Sequence, residues 1–143
     1  MIKRDKDKSI PEELRFLEET PDFIFTLTGS RSFTFGKIYK DSDWDFFVEE
    51  SRGLLIFLQQ HEFVNQYDAY QNDPLNVAVY RKDIPSLGTH VDIQVVNDIQ
   101  AKARMNSALK THFPYGLPEF SNDVDRKLFT KRLWRLMCQL YRC

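Results

Sequence analysis

Asp43-Trp44-Asp45-Phe46-Phe47-Val48 alternates acids with large apolar side chains, and this period of two constrains the fold more than any other segment. A strand puts residues i and i+2 on one face, so Asp43 and Asp45 share a side while Trp44, Phe46 and Val48 share the other. That apolar side has to be buried, and the rest of the chain must supply the cover. At 143 residues and 42% hydrophobic content the chain is one domain's length with enough apolar material for a single core.

The cover is legible as helices. Ser9-Ile10-Pro11-Glu12 sets a cap hydroxyl three residues before a glutamate, which predicts a helix over Pro11–Glu19 that Pro21 ends. Phe23–Thr28 is a β-branched and aromatic run ending at Gly29-Ser30, as a buried strand entering a turn would. Ser51 reads as the N-cap of a helix over Gly53–Gln60, with Leu54, Leu55, Phe57 and Leu58 at helical spacing. Asn76–Arg81 and His90–Val96 read as an antiparallel hairpin whose connection holds Pro85 and Gly88. Asn97 or Asp98 caps a third helix to about Lys110, and after Pro114, Gly116 and Pro118 a last helix runs from about Asn122 to the end. The expected architecture is a single α+β domain over 1–143, a mixed sheet with helices packed on it, its core spanning about 11–110.

Several function classes are excluded. The longest apolar runs, such as Leu54–Leu58, are far too short to span a membrane. The N-terminus carries both charge signs with no apolar stretch after it, so no signal peptide is expected and the protein is placed in the cytoplasm. Cys138 and Cys143 fall on one expected helix, five apart, and read as reduced thiols. A net charge of -1 leaves no chain-wide cationic field for nucleic acid. An EF-hand starting at Asp41 fails at Phe46 and Arg52, a phosphate loop ending at Gly36-Lys37 fails on its gap and on Ile38, and no Gly-x-Gly-x-x-Gly occurs.

Chemistry concentrates on three acids. Asp43 and Asp45 can reach one hard cation from a shared strand face, and Asp92, between Val91 and Ile93, can approach from a neighbouring strand. Without a cation or partners such a group of carboxylates is costly among apolar flanks. The plain alternative is that Asp43 and Asp45 are solvated acids guarding an edge strand.

Leu27-Thr28-Gly29-Ser30, then twelve residues, then Asp43-Trp44-Asp45, and later His90-Val91-Asp92-Ile93 together resemble the signature of the DNA polymerase beta-like nucleotidyltransferase superfamily. The resemblance covers roughly Phe23 to Val96, about half the chain. It implies transfer of a nucleoside monophosphate from a nucleoside triphosphate to an acceptor hydroxyl on a protein, an RNA end or a small molecule, with loss of pyrophosphate. By position it implies that Gly29 lets backbone approach the triphosphate and Ser30 bonds a phosphate oxygen, while Arg31, next along the chain, meets the triphosphate or is an ordinary surface arginine. It implies that Asp43, Asp45 and Asp92 hold Mg2+, with Mn2+ as substitute, and that Asp92 helps remove the acceptor proton. The competing expectation is a non-catalytic module of the same fold that binds a nucleotide, an RNA or a protein.

Residues nearby carry weaker signals. His90 shares the expected face of Asp92 and touches the acceptor or an ion, or is an ordinary strand-edge histidine; Phe33, Phe35 and Tyr39 stack on a base or simply pack. Lys110 reads as a helix C-terminal charge. The last segment carries Arg126, Lys127, Lys131, Arg132, Arg135 and Arg142 against Asp123 and Asp125, a balance of +4. Leu128, Leu133, Leu136, Met137 and Leu140 recur beside them at helical spacing, so about 122–143 is a basic amphipathic helix that is solvated, guides a polyanionic acceptor, or pairs with a second copy or a partner helix.

Overall fold

The computed structural model describes residues 10–29, 43–66, 75–112 and 121–141. Ser9, Ser30, Arg31, Phe33, Phe35 and Tyr39, each given a role above, lie outside them.

Among the described residues five strands form one mixed sheet in the order β1-β2-β5-β4-β3: β1 (Thr26–Thr28), β2 (Trp44–Glu49), β3 (Val64–Asn65), β4 (Asn76–Ile84) and β5 (Thr89–Val96). Among the described residues only the β2–β5 pair is parallel. The helices are α1 (Arg15–Glu19), entered through a 3₁₀ turn at Glu12–Leu14, then α2 (Leu54–Gln60), α3 (Ile99–His112) and α4 (Asp123–Tyr141). The expected α+β architecture is the one observed.

The alternation in β2 sorts its side chains as the sequence requires. Trp44, Phe46 and Val48 pack with Val91, Ile93 and Val95 of β5 and with Leu14, Leu17, Leu54 and Leu58 from the 3₁₀ turn, α1 and α2. Phe46, Leu14, Leu58 and Ile93 are almost wholly buried there, each contributing roughly 2 kcal/mol of apolar transfer. The opposite face is covered by α3. Asp98 Oδ1 accepts the N–H of Ala101 at 2.9 Å and starts that helix, as an N-cap aspartate does. Thr28 Oγ1 bonds Asn106 Oδ1 at 2.8 Å and Lys102 Nζ donates to Gln94 Oε1 at 2.7 Å, tying α3 to β1 and β5.

Local expectations change in four places. Strand pairing starts only at Thr26, because β2 offers partners to Thr26–Thr28 alone, while the Phe23 and Phe25 rings turn onto Phe57 at 5.3 and 5.7 Å. Ser51 is no side-chain cap; its carbonyl accepts the Leu54 N–H at 3.3 Å, and α2 begins after Gly53, whose φ of 85° suits a residue without Cβ. The hairpin strands run longer than their apolar cores, to Ile84 and from Thr89, closed by a 3₁₀ turn at Pro85–Leu87. The short β3 had no apolar run to announce it.

In α4, Asn122 Oδ1 accepts the Asp125 N–H at 2.9 Å and fixes the helix start. Of its expected apolar stripe only Met137 is buried and Leu133 is partly buried; Leu128, Leu136 and Leu140 are exposed, as are Lys131, Arg132 and Arg135.

Candidate functional site

Strand register builds the site. Thr28 of β1 lies opposite Asp45 of β2, Asp45 opposite Asp92 of β5, and Asp92 opposite Arg81 of β4, a single row across four strands. Because β2 and β5 are parallel and in register, Asp45 and Asp92 project from the same face, about 5 Å apart in backbone spacing. One pleat earlier, His90 pairs with Asp83 of β4 and reaches back toward Asp43.

The electrostatics follow from that crowding. Asp45 is pushed up to about 7, first by loss of water, then by the charges of Asp92 and Asp43, with Lys102 and Arg81 pulling the other way. Arg81 takes Asp92 in a two-pronged grip, Nε to Oδ1 at 2.7 Å and Nη2 to Oδ2 at 3.1 Å. The same contact raises the Arg81 pKa further above its ordinary value.

Asp43, His90 and Asp92 each bring a donor atom within 4.8 Å of the other two. His90 Nε2 stands 3.2 Å from Asp43 Oδ2 and 3.5 Å from Asp92 Oδ2, yet it is buried and hydrogen-bonded to neither. Asp43 is half exposed and Asp92 largely covered, so the gap between them opens on one side to solvent. Two carboxylates and an unsatisfied imidazole nitrogen fit a divalent cation as a donor set.

Gly29 closes β1 with φ of 73°. A Cβ there would overlap Asp45 Oδ2 and stand 3.1 Å from its Cβ and Cγ. The glycine is thus required by the Asp45 carboxylate, whatever else approaches the turn.

The structure therefore gathers Gly29, Asp43, Asp45 and Asp92 at one end of the sheet and adds His90, Arg81 and Lys102. Arg81 carried no signal by itself, because its meeting with Asp92 depends on hairpin register. Lys102 was detectable: Ala101 and Met105 mark the buried side of α3, and Lys102 and Asn106 repeat that spacing one residue on. Among the described residues no helix is long and apolar enough to cross a membrane. Comparison with family models, with curated proteins and with solved structures finds no match for this chain.

Proposed function

We propose that the chain is a divalent-metal-dependent nucleotidyltransferase of the cytoplasm, moving a nucleoside monophosphate from a nucleoside triphosphate to an acceptor hydroxyl. One observation carries the reading: the acid pair Asp43 and Asp45 shares its end of the sheet with Asp92 of the adjacent parallel strand, beside the Gly29 turn. Asp43, Asp45 and Asp92 would hold Mg2+ or Mn2+, which supplies charge neutralisation at the phosphates and a more acidic acceptor hydroxyl. Ser30 and Arg31, next along the chain from Gly29, would meet the phosphates. The acceptor oxygen bonds to the α-phosphorus, the bond to the bridging oxygen breaks, and pyrophosphate leaves. The exposed Lys131, Arg132 and Arg135 of α4 would draw an anionic acceptor.

The test is transfer of label from each of the four α-phosphate-labelled ribonucleoside triphosphates, with Mg2+ or Mn2+, into a cell extract resolved for RNA, protein and small molecules. The Asp43→Ala, Asp45→Ala double variant runs beside it. Label that needs the acids establishes the activity, and its migration names the acceptor class. No label from a folded protein with any nucleotide and either metal would overturn the reading.

A specific contact favours a second reading, a non-catalytic binding module: Arg81 already neutralises both oxygens of Asp92. On that reading an Asp45→Asn variant keeps the protein's function, whereas nucleotidyl transfer is lost with it.

A further inference from the structure

We propose that His90 is a metal ligand, and that with Asp43 and Asp92 it makes a nitrogen-containing cation site that takes a first-row transition ion such as Mn2+ in preference to Mg2+. The inference concerns the site of the nucleotidyl-transfer reading and rests on that reading only for the use made of the ion. Three features support it. The three residues come from the start of β5 and the residue preceding β2, and each brings a donor atom within 4.8 Å of the others. His90 Nε2 is buried and aimed between Asp43 Oδ2 and Asp92 Oδ2 at 3.2 and 3.5 Å without a hydrogen bond to either, leaving a costly unsatisfied nitrogen that a cation would satisfy. Arg81 already holds both oxygens of Asp92, so the site presents the half-exposed Asp43 carboxylate beside an imidazole rather than a cage of anionic oxygens.

That composition decides the ion. Mg2+ demands oxygen ligands in a near-ideal octahedron and gains little from imidazole, whereas first-row transition ions accept imidazole nitrogen, Mn2+ the most weakly of them but still better than Mg2+. Asp43, half exposed, leaves coordination positions open for water or phosphate oxygens.

The experiment uses the full chain with Mn2+ as the probe. Mn2+ binding is followed by electron paramagnetic resonance, Mg2+ by competition, and directly ligated nitrogen by the 14N modulation of the spin echo from bound Mn2+. We expect Mn2+ to bind about tenfold or more tighter than Mg2+, with a 14N coupling in the wild-type protein. His90→Gln should remove the coupling and narrow the preference to about threefold or less, chiefly by weakening Mn2+. Bound Mn2+ without a 14N coupling, equal affinity for the two ions, or no binding of either would overturn the proposal, and the wild-type spectrum alone suffices if His90→Gln does not fold. Label transfer supported equally by Mg2+ and Mn2+ with no nitrogen coupling would sink this inference and leave nucleotidyl transfer standing. A His90-dependent coupling in a protein that transfers no label would do the reverse.

Discussion

Arg81 holds both carboxylate oxygens of Asp92, with Nε on Oδ1 at 2.7 Å and Nη2 on Oδ2 at 3.1 Å, across the β4–β5 register that pairs the two residues. The grip gives a largely covered carboxylate two charge-assisted hydrogen bonds next to Asp45 and Asp43, and it ties β4 to β5 through a charge pair. Arg81→Met should therefore cost about 2 kcal/mol in urea unfolding, since it strands the Asp92 charge. In the Asp92→Asn background the same substitution should cost well under half of that. Equal costs in the two backgrounds would show that the guanidinium contributes through packing alone.

Asp45 carries the pH dependence. Its folded pKa is raised from 3.8 to about 7 by burial and by Asp92 and Asp43. Below about pH 3.8 the folded and unfolded states are both protonated there, and the group is neutral in its effect on stability. Between that pH and about 7 the unfolded chain releases the proton that the folded chain retains, so stability falls as pH rises and levels off above 7. Asp45→Asn removes this loss: the Tm of the variant minus that of the wild type should grow between pH 4 and 7 and then stay constant. A difference independent of pH would mean that Asp45 ionises normally in the fold. At pH 8 the variant should be the more stable protein and inactive in label transfer, as expected where a costly group is kept for function.

Gly29 and Asp45 form a coupled pair. Gly29→Ala has to accept φ of 73° with a side chain and displace Asp45 Oδ2. We expect a loss of about 2 kcal/mol in the wild-type background, reduced to about 1 kcal/mol with Asp45→Ala, where only the backbone cost and the Cβ contact remain. Additive effects in that double-mutant cycle would show that the turn moves out of the way of the carboxylate.

The parts of this site that are legible in the sequence are those that depend on local periodicity. The alternation around Asp45 is enough to assign a strand, its faces and the shared side of Asp43 and Asp45, because side-chain direction in a strand is fixed by position. The helix beginning after Asp98 is legible for the same reason, its cap residue sitting just before it. What needs long-range pairing is not. Arg81 looks like any strand residue until Ile84 is set opposite Thr89, which carries Arg81 to Asp92. His90 joins Asp43 and Asp92 for the same kind of reason: its donor atom comes within 4.8 Å of theirs only once β5 is set beside β2, the register that also puts Asp45 opposite Asp92. The strand expected over Phe23–Thr28 shortens because ladder partners, not propensity, decide where pairing starts.

Lys102 offers the last test, since it links helix packing to the charge of the site. It is 1% exposed, donates to Gln94 Oε1 at 2.7 Å and lies 5.9 Å from the centre of the Phe47 ring, and its positive charge lowers the Asp45 pKa against the effect of burial. Lys102→Met keeps the apolar stem and removes the ammonium. Two consequences follow in opposite directions: the Gln94 carbonyl loses its charged donor, costing about 1–2 kcal/mol, and the buried cation's own desolvation cost disappears. Net stability should therefore change by no more than about 1 kcal/mol, while Asp45 loses the counter-charge that α3 supplies and titrates higher still. The stability gained by Asp45→Asn, measured in the Lys102→Met background, should go on rising above pH 7 instead of levelling off there. An unchanged plateau would mean that the ammonium is too well screened to act on Asp45, and that Lys102 serves only to fasten α3 to the sheet.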